Sequence, residues 1–343
     1  MPWLTLRIDV AALARWGLVL GVGVIAGCAS APTPPDWVSG PSGQYPAAEF
    51  LSGRGSGPSV DQAQERARAD LVKVFEMKLA VSGEDVQTYA QDAEGSRTTA
   101  RVERRIASST EKVVSGVRIA ELWRHPQSGE QHALAVLPRL QAANGLRQEI
   151  ARLDDAVARA VEQSRASGDS LLKVGAAQRA LDLAVQRDEV QRNLRVVDVT
   201  GRGVEAPLSA ARLHGDLDAL LQRVRMAVQA DADGGATEFP TLLRGALAHA
   251  GFLATGDGAE FVLRGRLKVD DQGRQDGWYW QRALVEVSVA EAASGRIRGT
   301  RTWTVKASGV EKETARVRLL REVETVLKRD LRTTVTGFAG AAG

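Results

Sequence analysis

One residue in this chain has chemistry that its neighbours prepare: Cys28, the single cysteine among 343 residues. It follows the small and apolar run Ile25-Ala26-Gly27. A thiolate is a nucleophile, so a cysteine there can accept a group. One cysteine excludes an intrachain disulfide framework and a thiolate metal cluster. Of the four histidines, His125, His132, His214 and His249, none stand four apart and no HExxH occurs. Only His125 and His132 can face each other, across a short turn, and two polar hairpin residues are a simpler reading than a metal pair. The acidic pairs Asp154-Asp155 and Asp270-Asp271 fall on a helix surface and in a loop, as solvated charge. Gly53-Arg-Gly-Ser-Gly57 precedes a helix, where anions are welcome, but its spacing is not that of a nucleotide loop. Glycines turning a strand into a helix are the default. No GxSxG or cofactor motif appears, so the expectation is a non-enzyme with no metal and no cofactor. Trp278, Tyr279 and Trp280, within Gly277-Trp-Tyr-Trp-Gln281, form an aromatic cluster able to contact a partner or stack on sugars. Trp278 and Trp280 share one face of a strand start, and filling the core beneath the sheet is the competing reading.

Composition sets the surroundings of these groups. With 44% hydrophobic and 25% charged residues the body is an ordinary globular one. The 45 basic and 42 acidic residues nearly balance, and the densest basic run, Arg101-Val-Glu-Arg-Arg105, already contains an acid. No nucleic-acid footprint is present. Before Cys28, Arg7 and Arg15 give a weakly positive start, and Trp16 to Ile25 is an uncharged apolar stretch too short to span a bilayer. Small residues then close it, a pattern that predicts export.

Ile25-Ala26-Gly27-Cys28 resembles the bacterial lipobox. That resemblance implies a signal peptide over 1–27, cleavage before Cys28, an S-diacylglycerol thioether on its sulfur and an N-palmitoyl group on its new amine. Several acyl chains hold a protein where one does not. Ala29 stands where an aspartate would favour inner-membrane retention, which implies an outer-membrane anchor with the body in the periplasm. Asp9 departs from a usual basic start and leaves the true start codon open. Residues 28–47, rich in Pro and Gly, read as an extended tether.

Residues 48–140 read as an α+β domain. Glu49 to Gly57 is a strand, Ser59-Val-Asp-Gln62 a capping box, and Ala63, Ala67, Leu71, Val74 and Phe75 one helix face. Thr98 to Val114 reads as a second helix, then Val117–Arg124 and Gln131–Leu137 as strands around a Pro-Gln-Ser-Gly-Glu turn. The expected fold is a small antiparallel sheet with helices on one face. Asp36-Trp37, Phe50 to Gly57, the alanine helix, Val117 to Trp123 and His132 to Val136 are similar to the LPP-20 lipoprotein family. The resemblance implies a fold and an envelope location, with partners among envelope proteins, and identifies no active site.

Residues 141–193 read as a helical hairpin broken at Ser167-Gly-Asp169. Residues 194–338 read as a second small α/β domain, followed by a flexible tail at 339–343. In it Leu194–Val199 is expected as a strand, Leu217–Leu221 as part of a helix and Phe239–Ala250 as another. Strands follow at Phe261–Val269, Arg282–Val289 and Gly299–Lys306, then a closing helix over Thr314–Val335. The stretch from Thr241 through the hairpin resembles TolB amino-terminal domains, which implies protein binding. The reading that results is a lipid-anchored assembly or scaffolding factor, with a regulator of a peptidoglycan enzyme as the alternative. The partner and the oligomeric state are not fixed by the sequence.

Overall fold

The computed structural model describes residues 33–82, 116–233 and 236–339. Cys28 with the signal peptide, the helix expected at Thr98–Val114 and the last residues of the tail lie outside them.

The first unit is a three-stranded antiparallel sheet in the order β1-β3-β2, with β1 Phe50–Gly57, β2 Arg118–Arg124 and β3 Gln131–Pro138. One face carries Leu51, Ala133, Ala135 and Leu137, packed against Ala63, Ala67, Leu71 and Phe75 of α2, Val60–Ser82. Ser59 starts that helix, its Oγ accepting the Gln62 N–H at 3.3 Å.

The glycines of β1 do not turn the chain into the helix, as the sequence suggested. They alternate along the strand beneath it. A Cβ on Gly53 would lie 2.3 Å from the Leu71 nitrogen, and one on Gly55 only 2.2 Å from the Ala67 nitrogen. Only hydrogen at these positions lets the helix backbone approach so closely.

Part of the segment read as tether is folded. Helix α1, Asp36–Ser39, lays Trp37 on the other face of the sheet, 2% exposed, against Leu134 and Val136. Its indole N–H donates to Glu121 at 2.6 Å. The Arg54 guanidinium donates to the carbonyl of Gly40 at 3.2 Å and holds the segment down. Both faces of this small sheet are thus covered.

Helices α3, Arg139–Ala166, and α4, Ser170–Val197, form the antiparallel hairpin, closed at Ser167–Asp169. The Asp169 side chain caps α4 by accepting the Leu172 N–H at 2.9 Å. The strand expected at Leu194–Val199 is instead the last turn of α4, which ends at Val197, and the start of the turn that follows. Leu194, Val196 and Val197 are all buried in the first unit's core, so this helical turn is apolar enough to imitate a strand. Arg187, 3% exposed, reaches across the hairpin to Asp154 at 3.1 Å and to the carbonyls of Val204 and Glu205 at 2.9 Å each. That one guanidinium pins the connection following α4.

The second unit runs α5 Ala210–Leu221, β4 Arg225–Ala232, α6 Phe239–His249, β5 Leu253–Ala254, β6 Phe261–Gln275, β7 Trp278–Glu291, β8 Ile297–Gly309 and α7 Lys312–Phe338. Its sheet is ordered β5-β4-β6-β7-β8, with β4 parallel to β5 and β6 and the rest antiparallel. Strand β4 was missed in the sequence because Ala, Gln and Asp interrupt its apolar alternation. Leu243 and Leu247 of α6 and Leu319, Val323, Leu327 and Leu331 of α7 cover one face. Arg298, almost wholly buried, joins this unit to the hairpin by pairing with Asp169 at 3.0 Å and Glu291 at 2.8 Å. Ser170 also bonds Glu260 across the same seam.

Candidate interaction surface

The residues between the strands expected at Phe261–Val269 and Arg282–Val289, with Asp270-Asp271 read as loop, are instead strand up to a tight turn: β6 runs on to Gln275 and β7 begins at Trp278. Asp276 and Gly277, with φ of 49° and 84°, form the two-residue turn that right-handed strand twist favours. Gln275 and Trp278 are its closing pair. The long hairpin therefore carries Trp278, Tyr279 and Trp280 at its tip.

Alternation along β7 then decides where each ring sits. Ala283, Val285, Val287 and Val289 are buried beneath the helices, so Trp278, Trp280, Arg282, Leu284 and Glu286 belong to the opposite face. That face has no helix over it among the described residues. Trp278 is 43% exposed, Trp280 37% and Leu284 41%. The alternative of a Trp pair filling the core does not hold. Tyr279 points the other way, half-buried, with the Arg274 guanidinium 5.6 Å from its ring centroid.

Register supplies the frame around the rings. Arg282 lies between Asp270 of β6 and Lys306 of β8, and Leu284 between Lys268 and Thr304. Arg282 bonds Asp270 at 3.0 Å, while Thr302, Thr304 and Lys306 remain exposed. On the helix side Lys312 pairs with Asp271 at 2.7 Å, and its ammonium holds that carboxyl below the usual carboxylate range. The result is an apolar strip of two indoles and a leucine, bordered by charged and hydroxyl side chains. Such an arrangement suits a protein partner: rigid amphipathic rings bury area at low entropic cost, and the polar border sets register.

The histidine pair has another task. His125 Nδ1 accepts the Ser128 N–H at 3.1 Å and closes the β2–β3 turn, while both imidazoles pack on Trp123 with centroids 5.4 and 5.2 Å away. Among the described residues no cluster of His, Asp, Glu or Cys could hold a metal. What sequence reasoning missed are two buried arginines, Arg187 and Arg298, and the half-buried Arg139. Nothing in their local sequence separates them from the many exposed ones.

With α1, the glycine strand, the alanine helix and the hairpin in place, the comparison with known families has a structural counterpart. Residues 35–138 match the LPP20 lipoprotein family. The match covers the sheet, α2 and the Trp37 segment, and supports a bacterial lipoprotein of the envelope. Among the described residues, no helix is long and apolar enough to cross a membrane. Similar solved structures include a secreted protein of Helicobacter pylori, with 13% identity, TM-score 0.41, and 81% of this chain against 96% of that one covered. A minor lipoprotein from Acinetobacter baumannii shares 19% identity over 34% of this chain and 85% of that chain, with TM-score 0.22. Lipoprotein GNA1162 of Neisseria meningitidis shares 8% over 30% and 98%, with TM-score 0.23. No curated protein matches the chain.

Proposed function

We propose that this protein is a lipid-anchored lipoprotein of the outer membrane that works by binding proteins in the periplasm, as an assembly or scaffolding factor. The LPP20 match and the lipobox-like Ile25-Ala26-Gly27-Cys28 support the anchor. One observation carries the binding role: Trp278 and Trp280 stand exposed on a sheet face that no helix covers among the described residues. Two large apolar rings are costly to leave in water, and a partner that covers them recovers that free energy.

The test is photo-cross-linking in cells, with a photoreactive residue at position 280 and a control at the exposed Glu322 of α7. A defined envelope protein is captured from position 280 alone, and Trp278→Ser lowers its yield. Capture of a peptidoglycan synthase assigns the regulator role. Identical patterns from both positions refute the reading.

A further inference from the structure

A second place on the molecule carries charge that the fold does not use. At the seam between the LPP20-matching unit and the end of α4 lies a cleft of about 320 Å³. Its lining includes Lys78 of α2, Arg139 at the start of α3, Arg195 in the last turn of α4, and the turn Asp198, Thr200 and Gly201. Three cations thus converge from three helices, opposed by one carboxylate.

The carboxylate is already satisfied. Asp198 pairs with Arg147 at 2.6 Å and accepts both the Thr200 N–H and its hydroxyl at 2.9 Å. Those donors, the Thr200 backbone N–H foremost, hold its carboxyl below the ordinary range. Arg139 is only partly committed. Its Nε donates to the Ala47 carbonyl at 2.9 Å, and Nη1 to the Val196 and Val197 carbonyls at 3.1 Å each. It thereby caps carbonyls at the end of α4, which would otherwise repel an anion. Lys78 and Arg195 make no hydrogen bond or ion pair with any described residue. Burial, and then the neighbouring Arg139, lower the Lys78 pKa, as expected of a cation facing another without a counter-charge.

We propose that this cleft binds a phosphate-type oxyanion, held by Lys78 and Arg195 and oriented by the uncommitted edge of Arg139. A dianion fits better than a single carboxylate, because three cations line the cleft: Lys78 and Arg195 make no hydrogen bond with a described residue, Arg195 feels only the field of Asp188, and Arg139 keeps one edge free. Phosphate of this kind reaches the envelope either free or as part of a lipid headgroup, and both present the same oxygens. The site is separate from the Trp278 and Trp280 face and does not depend on the reading proposed for it.

Calorimetric titration of the full chain with inorganic phosphate, at ionic strength held constant with sodium chloride, tests the proposal. Saturable binding is expected, weakened at least fivefold by Lys78→Gln and likewise by Arg195→Gln. Neither side chain makes a hydrogen bond or ion pair with a described residue, so the variants should unfold within about 2 °C of the wild type. A parallel titration with glycerol 3-phosphate separates the sources: tighter binding than inorganic phosphate assigns a lipid headgroup, and weaker binding a free anion. No saturable heat with either probe, or equal affinity in both variants and wild type, overturns the proposal.

Discussion

Gly55 concentrates the first unit's geometry in one hydrogen atom. Adding a methyl group there places carbon 2.2 Å from the Ala67 nitrogen and 2.4 Å from the Ala63 carbonyl oxygen, both helix backbone. Neither can swing aside, so α2 must lift from the sheet. Gly55→Ala is expected to cost about 2–3 kcal/mol, typical of overpacking, read as a lower urea midpoint. A change under about 0.5 kcal/mol would mean the helix has slack. Glu291 makes a different residue-scale prediction. Arg296, Ser294 and Arg298 donate to its carboxylate and lower its pKa from 4.5 to about 2. A depressed acid stabilises the fold above its unfolded pKa and loses that contribution as pH falls through the folded value. The stability gap between wild type and Glu291→Gln should therefore be constant above about pH 5 and close between pH 4.5 and 2. A gap that persists to pH 2 contradicts the assignment.

At the scale of elements, patterns with one exposed face were legible and those buried all round were not. Helix α7 shows this best: Ala315, Leu319, Val323 and Leu327 mark its buried stripe in sequence and in space. The end of α4 fails for the opposite reason. Leu194, Val196 and Val197 touch the other unit's core, so tertiary packing erased the helical period. The Asp276-Gly277 turn is legible in the sequence, since Asp-Gly between alternating residues is a strong hairpin signal. The arginine clasp was not readable, because its meaning depends on what lies across the hairpin. Arg187→Ala leaves the carbonyls of Val204 and Glu205 without their donor and Asp154 without its partner, at about 2–4 kcal/mol. The connection should loosen first, so trypsin should cleave at Arg202 several-fold faster than in wild type. Unchanged cleavage would show that the clasp is dispensable.

For the whole molecule, two kinds of tryptophan separate structure from function. Trp37 is buried on the first sheet, and Trp37→Ala should cost about 3–5 kcal/mol, seen in thermal unfolding. Trp278 and Trp280 are partly open to water, so Trp278→Ser with Trp280→Ser should together cost no more than about 2 kcal/mol, less than Trp37→Ala alone, while removing partner capture. A large loss of stability would return these rings to a structural role. Sequence located the Trp278 and Trp280 cluster but left its orientation open, because the parity of β7 only becomes known once its register with β6 and β8 is fixed. The oxyanion cleft was not visible at all, since Lys78, Arg139 and Arg195 meet only in the folded chain.

The proposed function depends on attachment to the envelope through one residue, Cys28. Metabolic labelling with radioactive palmitate, followed by isolation of the chain, measures it directly. Label is expected in the wild type and absent from Cys28→Ser; label retained in Cys28→Ser, or missing from the wild type, contradicts it.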